Sequence, residues 1–193
     1  MAEHETLLAY LLEKGEASFH ATLENTVPKV FLLAAASWME TRVHQIVLDF
    51  FSETTAGQVQ ALEFIRRNAI EKQYFKWFEW ERRAPGKFWS NFGEDMKAFA
   101  AKLHRDDSVY ASEYAAFLEL GDLRNQLVHQ NYAIFTLPKT AAEVADLYEK
   151  ASKFVDRLPA LLRTDPSASG AHSQTVRPAN RQDSVNRTHR RDP

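Results

Sequence analysis

An apolar repeat in the first half of the chain restricts the fold more than any other feature of the sequence. Between residues 28 and 52, apolar side chains recur at spacings of 4, 3, 4, 3 and 4, at Leu32, Ala36, Met39, Val43, Ile46 and Phe50. This alternation keeps one face of an α-helix apolar, and it is the pattern by which antiparallel helices pack in bundles. The sequence therefore predicts a long helix whose packing partners are other helices.

Other segments with an apolar face at helical period can provide those partners. They cover approximately residues 4–14, 17–25, 59–70, 94–103, 107–129 and 141–162. Thr26 is a suitable N-cap, and Pro28 would lie in the first helical turn, where its missing N–H leaves no bond unmade. We therefore expect a break between the helix over 17–25 and the long helix that follows it.

The end of the chain carries two further local signals. Thr140 and Glu143 have the spacing of a capping box, which places a helix start at the last apolar segment. The β-branched and aromatic run over residues 132–138 is either a short strand or an extended connector. Taken together, the segments predict an all-α fold, an up-and-down helical bundle of five or six helices.

Composition divides the chain into one helical domain and a tail. From residue 165 onward aromatic residues are absent, and Ser, Asn, Arg, Asp and Pro dominate. Five Arg and three Asp give this tail a charge of +2, which leaves -4 on the rest of a chain whose net charge is -2. We predict a helical domain over residues 1–164 and a disordered tail over 165–193.

The sequence gives no sign of a metal, a cofactor or a membrane segment. It contains no cysteine, so disulfides and thiolate metal sites are excluded, and its seven His are scattered. The first six residues lack the basic flank of a signal peptide, and no apolar run reaches membrane-spanning length. We expect a cytoplasmic protein without cofactors.

Residues 121–132 contain the one cluster of side chains that suggests chemistry. Asn125 and His129 are four residues apart and share one helix face, so the amide can orient the imidazole. Arg124 and His129 are five apart, about 140° around an ideal helix. Because one straight helix cannot aim both at the same point, we predict a two-fold dimer in which both Arg/His sets line one cleft.

An arginine beside a histidine suits a phosphodiester substrate. A guanidinium binds phosphate oxygens in pairs, and an imidazole transfers protons near neutral pH. RNA supplies its own nucleophile, the 2'-hydroxyl, so a general acid or base and a cation suffice for cleavage without a metal. The alternative is that the spacing arose by chance and that Arg124 makes a surface ion pair.

The motif and its flanks resemble a known family. Residues 124–129 match the Arg-Asn-x3-His signature of HEPN domains, and Gln130, Asn131 and Tyr132 continue the likeness. The flanks resemble the RiboL-PSP-like branch at residues 37–40, 74–78 and 91–93. The resemblance covers approximately residues 20–160.

The resemblance implies an all-α, dimeric, metal-independent endoribonuclease, of the kind found in toxin–antitoxin, antiviral-defence or RNA-processing systems. The products would be a 2',3'-cyclic phosphate and a 5'-hydroxyl. His129 would act as general acid or base, Arg124 would stabilise the phosphorane charge, and Asn125 would orient the imidazole or bind phosphate. The implied partners are RNA, a second copy of the chain, and an antitoxin or defence-system protein.

Two other functions remain open. Some HEPN domains are noncatalytic modules that bind RNA, a nucleotide or a partner protein. The chain could also be a helical interaction protein whose aromatic surface recruits another chain. The first alternative predicts RNA binding without products, and the second predicts no affinity for RNA.

Two supporting groups of residues complete the prediction. Glu40 either holds the guanidinium of Arg124 or forms an intrahelical pair with His44. Residues 74–92 contain eight aromatic side chains, which either stack on bases or fill the core or a dimer interface. Arg82, Arg83 and Lys87 flank a Pro-Gly loop within this stretch, so we predict that they bind RNA.

Overall fold

A computed structural model describes residues 2–81 and 85–166 of the chain. These residues form eight α-helices and one π-helical segment, with no strand among them, which confirms the all-α prediction. The α-helices are α1 (Ala2–Glu13), α2 (Ala17–Thr54), α3 (Val59–Ile65), α4 (Tyr74–Trp77), α5 (Lys87–Ser90), α6 (Glu94–Asp106), α7 (Ser108–His129) and α8 (Ala141–Leu162), and the π-helix (Arg66–Ile70) continues α3.

The core lies between α2, α7 and α8. Five of the six seam residues predicted in α2 are buried, and Phe50 is half-buried. On α8 the buried stripe consists of Val144, Leu147, Ala151, Phe154, Val155 and Leu158. Each Val, Leu, Ile, Met or Phe of these two faces contributes about 1.5–3 kcal/mol through removal from water, so this shared seam is the main stabilising element of the bundle.

Helix α2 is continuous through Pro28, which contradicts the break expected between 25 and 28. Thr26 lies inside the helix rather than at its cap. An internal proline costs about 3 kcal/mol, because it removes one backbone hydrogen bond and crowds the preceding turn. Pro28 and Lys29 are both buried, so burial against neighbouring elements offsets this cost.

Lys29 fixes the segment that follows α7. Only 1% of its surface is exposed, and its Nζ donates a hydrogen bond of 3.1 Å to the backbone carbonyl of Tyr132. The same ammonium lies 5.2 Å from the centre of the Tyr132 ring. Residues 132–138 form turns and irregular structure, so this run is a connector and not a strand.

Helix α7 is held firmly at its N-terminus. The Asp107 carboxylate accepts hydrogen bonds from the backbone N–H groups of Val109 (2.9 Å) and Tyr110 (3.0 Å) and so caps the helix. Arg157 of α8 pairs with Asp107 and with the buried Glu113, which shows that α7 and α8 run antiparallel. The C-terminal turns of α7, where the motif lies, are therefore at the far end of the bundle.

The aromatic stretch lies mostly in the core. Tyr74, Trp77, Phe78, Phe88 and Trp89 are buried, which confirms the packing interpretation for these five rings. Phe75, Trp80 and Phe92 are half-buried and remain accessible from one side. The capping box at Thr140 and Glu143 is also confirmed. No helix in the described ranges combines the length and apolarity needed to cross a membrane.

Candidate functional site

The last two turns of α7 form one wall of an open cleft of about 620 Å³. Asp122, Asn125, Gln126 and His129 line this wall, because their spacing of three, four and seven residues places them on one helix face. The opposite wall consists of Glu79, Trp80 and Glu81, which follow α4. We call this space the motif cleft.

The imidazole of His129 is exposed at the mouth of the motif cleft. It belongs to the final residue of α7, so solvent and a ligand can reach it without any rearrangement of the core. Gln126 donates a hydrogen bond of 2.9 Å to Asp122 one turn earlier, which fixes the amide beside it. The predicted pair of Asn125 and His129 therefore lies in one accessible cavity.

Arg124 lies on a different side of α7. Its guanidinium carbon is 4.2 Å from the centre of the Phe75 ring, and Arg124 is not among the residues that line the motif cleft. Nη1 donates a long hydrogen bond of 3.4 Å to Oδ1 of Asn125. Asn125 thus touches the guanidinium while it lines the cleft, and the angular separation of Arg124 and His129 is retained within one chain.

Glu40 lies near Arg124 without a direct ion pair. Burial raises the pKa of the Tyr74 phenol, the Glu40 carboxylate raises it further, and Arg124 lowers it in part. Both charges therefore lie close to the same hydroxyl. Within the described residues Glu40 forms no contact ion pair with Arg124 or His44, and its carboxylate acts through its charge on the pKa of His44 and of the Tyr74 phenol.

His44 completes this buried polar group. Its ring meets Tyr74 and Trp77 edge-on, with ring centres 5.5 Å apart in both cases, and its Nε2 is buried without a hydrogen-bond partner. Burial lowers the pKa of His44, and the nearby Glu40 carboxylate offsets part of that effect. His44 is thus a neutral packing residue beneath the motif.

Of the three predicted RNA-binding cations, only Lys87 belongs to the described residues. Lys87 is exposed at the first position of α5 and does not line the motif cleft. Arg82 and Arg83 lie outside the described residues, directly after Glu81. The described lining contains three carboxylates, Glu79, Glu81 and Asp122, and no Lys or Arg. The described part of this lining is therefore acidic, and its carboxylates repel phosphate.

Sequence reasoning missed the opposite wall and two residues of α7. Asp122 and Gln126 could have been found, because they share the helical face of Asn125 and His129. Trp80 could not, because only the packing of its ring beside Gly121 of α7 places it opposite this face. Among residues 2–81 and 85–166, no group of three or more His, Asp or Glu is arranged to hold a metal.

Gly121 explains how Trp80 comes so close to α7. The six-membered ring of Trp80 occupies the space that a β-carbon at this position would need. Glycine inside a helix costs about 1 kcal/mol relative to alanine, so its presence indicates a close approach. The missing side chain lets the indole form the wall of the motif cleft.

Comparison with protein families gives one match. A family model described as RiboL-PSP-HEPN matches residues 4–163, a range that contains the core seam, the motif and all of α8. No curated protein and no solved structure matches the chain.

Proposed function

This chain belongs to the RiboL-PSP-HEPN family, and on that premise we propose that it is a metal-independent endoribonuclease acting as a toxin or antiviral-defence effector in the cytoplasm. Ribonuclease activity is common among HEPN proteins. The observation that carries the proposal is the exposed His129 imidazole, which shares an open cleft with the Asn125 amide. This is the arrangement that proton transfer to or from a bound RNA strand requires.

The proposed reaction needs only the protein, the RNA and water. The 2'-hydroxyl loses its proton to a base as its oxygen attacks the adjacent phosphorus, and the bond from phosphorus to the 5'-oxygen breaks as that oxygen gains a proton from an acid. His129 is the base or the acid at one of these two proton transfers, and water takes the other role. The 5'-oxygen leaves as a hydroxyl, and the phosphate remains as a 2',3'-cyclic ester. Arg124 stabilises the negative charge of the phosphorane.

The described lining of the motif cleft contains no Lys or Arg, and we propose that a second subunit supplies the cation that phosphorane charge requires. In a two-fold dimer, Arg124 of the partner subunit would face His129 across the interface. Apolar side chains beside the motif support an interface there: Val128, Tyr132 and Ile134 are 51%, 41% and 78% exposed. Covering them would remove apolar surface from water at the edge of the cleft.

The proposed function is tested with His129→Ala and Arg124→Ala. Each variant should cleave a single-stranded RNA about 100-fold more slowly than the parent, or not at all, in the presence of a chelator. His20→Ala and Arg105→Ala are the matched controls, because both residues lie outside the motif cleft, and they should retain full activity. Circular dichroism and mass in solution should be unchanged in all four.

Full activity in either motif variant would show that this motif does not catalyse the reaction. A second test uses the host cell: expression of the parent should arrest growth, and His129→Ala should relieve the arrest. A parent protein that binds RNA but yields no product at any pH would identify the chain as a noncatalytic module.

One observation favours a second candidate function, a noncatalytic module that docks a basic segment of a partner protein such as an antitoxin. The three carboxylates of the motif cleft would pair with Lys or Arg of that segment. Replacing both Glu79 and Glu81 by Gln discriminates the candidates. Docking predicts that a basic peptide then binds more weakly, whereas the ribonuclease proposal predicts equal or faster RNA cleavage.

A further inference from the structure

A second cavity, of about 380 Å³, opens between α2, the π-helix, α4 and α5. It shares no lining residue with the motif cleft. Its inner wall contains the rings of Trp77, Phe88 and Phe92. The centres of Trp77 and Phe88 are 6.0 Å apart, and those of Phe88 and Phe92 are 5.3 Å apart, so the rings hold one another in place. We call this cavity the aromatic pocket.

The rim of the aromatic pocket presents hydrogen-bond acceptors. Nδ2 of Asn68 donates to the carbonyl of Phe64 (2.8 Å), and Nδ2 of Asn91 donates to the carbonyls of Lys87 and Phe88 (both 3.1 Å). Both amide nitrogens are thus used by backbone groups of their own segments. The two amide oxygens remain as acceptors, which suits a ligand that carries amino or ring N–H donors.

The backbone at this rim is held in an uncommon conformation. Asn68 belongs to the π-helix, closed by a hydrogen bond of 2.8 Å from the Glu71 N–H to the Arg66 carbonyl. Lys72, just beyond it, has a backbone φ of 61°, which residues other than glycine rarely adopt. Single π-helical turns and strained residues cluster at ligand sites. Arg66 fixes this turn through ion pairs with Glu63 and Glu71.

A cation stands at the mouth of the aromatic pocket. Lys76 is exposed there and has no carboxylate partner among the described residues. The described lining also contains no Asp or Glu, in contrast to the motif cleft. A negatively charged group on a ligand is therefore attracted to this mouth and not repelled.

We propose that the aromatic pocket binds one nucleotide whose base carries an exocyclic amine. The base packs against Phe92, the half-buried ring of the aromatic wall, its amine donates to the amide oxygens of Asn68 and Asn91, and its phosphate meets Lys76. A cavity of 380 Å³ is of the size that small ligands occupy. The site is separate from catalysis and does not require that the motif cleave RNA.

The nucleotide can be free or part of an RNA strand, and the position of α4 is compatible with both. Gln73, Lys76 and Trp77 line the aromatic pocket, and the chain continues within a few residues to Glu79 and Trp80 in the motif cleft. A strand with one base in the pocket would therefore run toward the motif along this segment.

Binding is measured by calorimetry on the full chain carrying His129→Ala, so that no strand is cut. The probes are adenosine monophosphate, uridine monophosphate, inorganic phosphate, and single-stranded oligoadenylate and oligouridylate. Asn68→Leu and Lys76→Gln should each weaken adenylate binding about 5-fold or more, the loss expected for one hydrogen bond or ionic contact. Lys150→Gln, an exposed lysine on α8 outside the pocket, is the matched control and should bind as the parent does.

Each outcome decides the proposal. Monophosphate binding that both pocket variants weaken supports it with a free nucleotide as occupant, and oligoadenylate binding with the same sensitivity but no monophosphate binding supports it with an RNA base. The proposal is overturned if no adenylate binds, if either variant binds adenylate as tightly as the parent, or if inorganic phosphate or uridylate binds as tightly as adenylate. Asn68 and Lys76 are both exposed, so the variants should fold, and circular dichroism checks this.

Discussion

Arg124 contacts an aromatic ring and an amide, whereas the sequence left open whether Glu40 would pair with Arg124 or with His44. The guanidinium lies over the Phe75 ring. The Glu40 carboxylate is farther away, and it and Arg124 shift the pKa of the Tyr74 phenol in opposite directions. A ring leaves the positive charge of the guanidinium unneutralised, whereas a contact carboxylate would cancel it. This arrangement keeps Arg124 available to a phosphate.

Phe75→Leu tests the importance of that ring. A cation–π contact contributes about 0.5–2 kcal/mol, so loss of the aromatic face should slow RNA cleavage about 2- to 30-fold while the chain stays folded. Phe64→Leu is the control, because Phe64 is exposed on α3 and does not line the motif cleft. If Phe75→Leu cleaves RNA at the parental rate, the ring does not position the guanidinium.

His44 should make the stability of the fold depend on pH. Burial lowers its pKa in the folded chain below the ordinary value of 6.5, so the unfolded chain binds the proton more readily. The stability that depends on neutral His44 is complete above that value, and it is lost as the pH falls through the lowered pKa. The Glu40 carboxylate opposes this loss in part.

The check is the urea midpoint at about pH 7.5 and about pH 5. The midpoint should fall less in His44→Gln than in the parent, because the substituted side chain cannot take up the proton. The urea midpoint of His20→Gln should fall by as much as that of the parent. An identical fall in all three proteins would mean that His44 is not the group responsible.

The sequence allowed the motif residues to be predicted, but not their surroundings. The spacing of Asn125 and His129 places them on one face whatever the rest of the fold does, and that face lines the motif cleft. Glu79 and Trp80 are distant in sequence, and only the packing of the segment after α4 brings them opposite. Local pattern carries no information about such a contact.

At the level of elements, a proline and a glycine that often mark helix boundaries both lie inside helices, Pro28 in α2 and Gly121 in α7. Pro28 is a standard helix-start residue in isolation, but tertiary contacts carry α2 through it. Gly121 does not end α7, which continues on both sides of it. Its role is explained only by the Trp80 ring, which occupies the space of a β-carbon at this position. Burial decides both cases, since it outweighs a local preference of about 1–3 kcal/mol.

Gly121→Ala tests whether Trp80 is fixed against α7, because the change in the free energy of unfolding has opposite signs with and without a clash. On a free helix surface this change should stabilise the chain by about 1 kcal/mol. Because the new methyl group would overlap the Trp80 ring, we expect instead a loss of about 1 kcal/mol or more, measured by chemical unfolding, together with slower RNA cleavage.

A second substitution controls for causes other than the clash. In a chain that already carries Trp80→Leu, the space beside Gly121 is open, so the added Gly121→Ala should be neutral or stabilising. A single Gly121→Ala variant more stable than the parent would show that the indole moves aside freely and does not form a fixed wall.

For the whole molecule, periodicity predicted the bundle well. The seam of α2 and the stripe of α8 are where the apolar spacing placed them, because burial of a continuous face dominates helix packing. The apolar face of α7 is buried as well, except at Val109 in its first turn, which is exposed. It was less predictable which rings of the aromatic stretch are buried and which are accessible. Buried and accessible rings alternate within a few residues there, and short helices and turns between them follow no single period.

The claim on which the account depends is that the working Arg124 and His129 come from different subunits. The most direct measurement mixes the Arg124→Ala and His129→Ala proteins, each inactive alone, under conditions that exchange subunits, and follows RNA cleavage. Random exchange makes half of the molecules mixed dimers, each with one intact Arg/His pair, so activity should recover to about one quarter of the parent's. No recovery in a mixture whose exchange is demonstrated by mass would contradict the shared site.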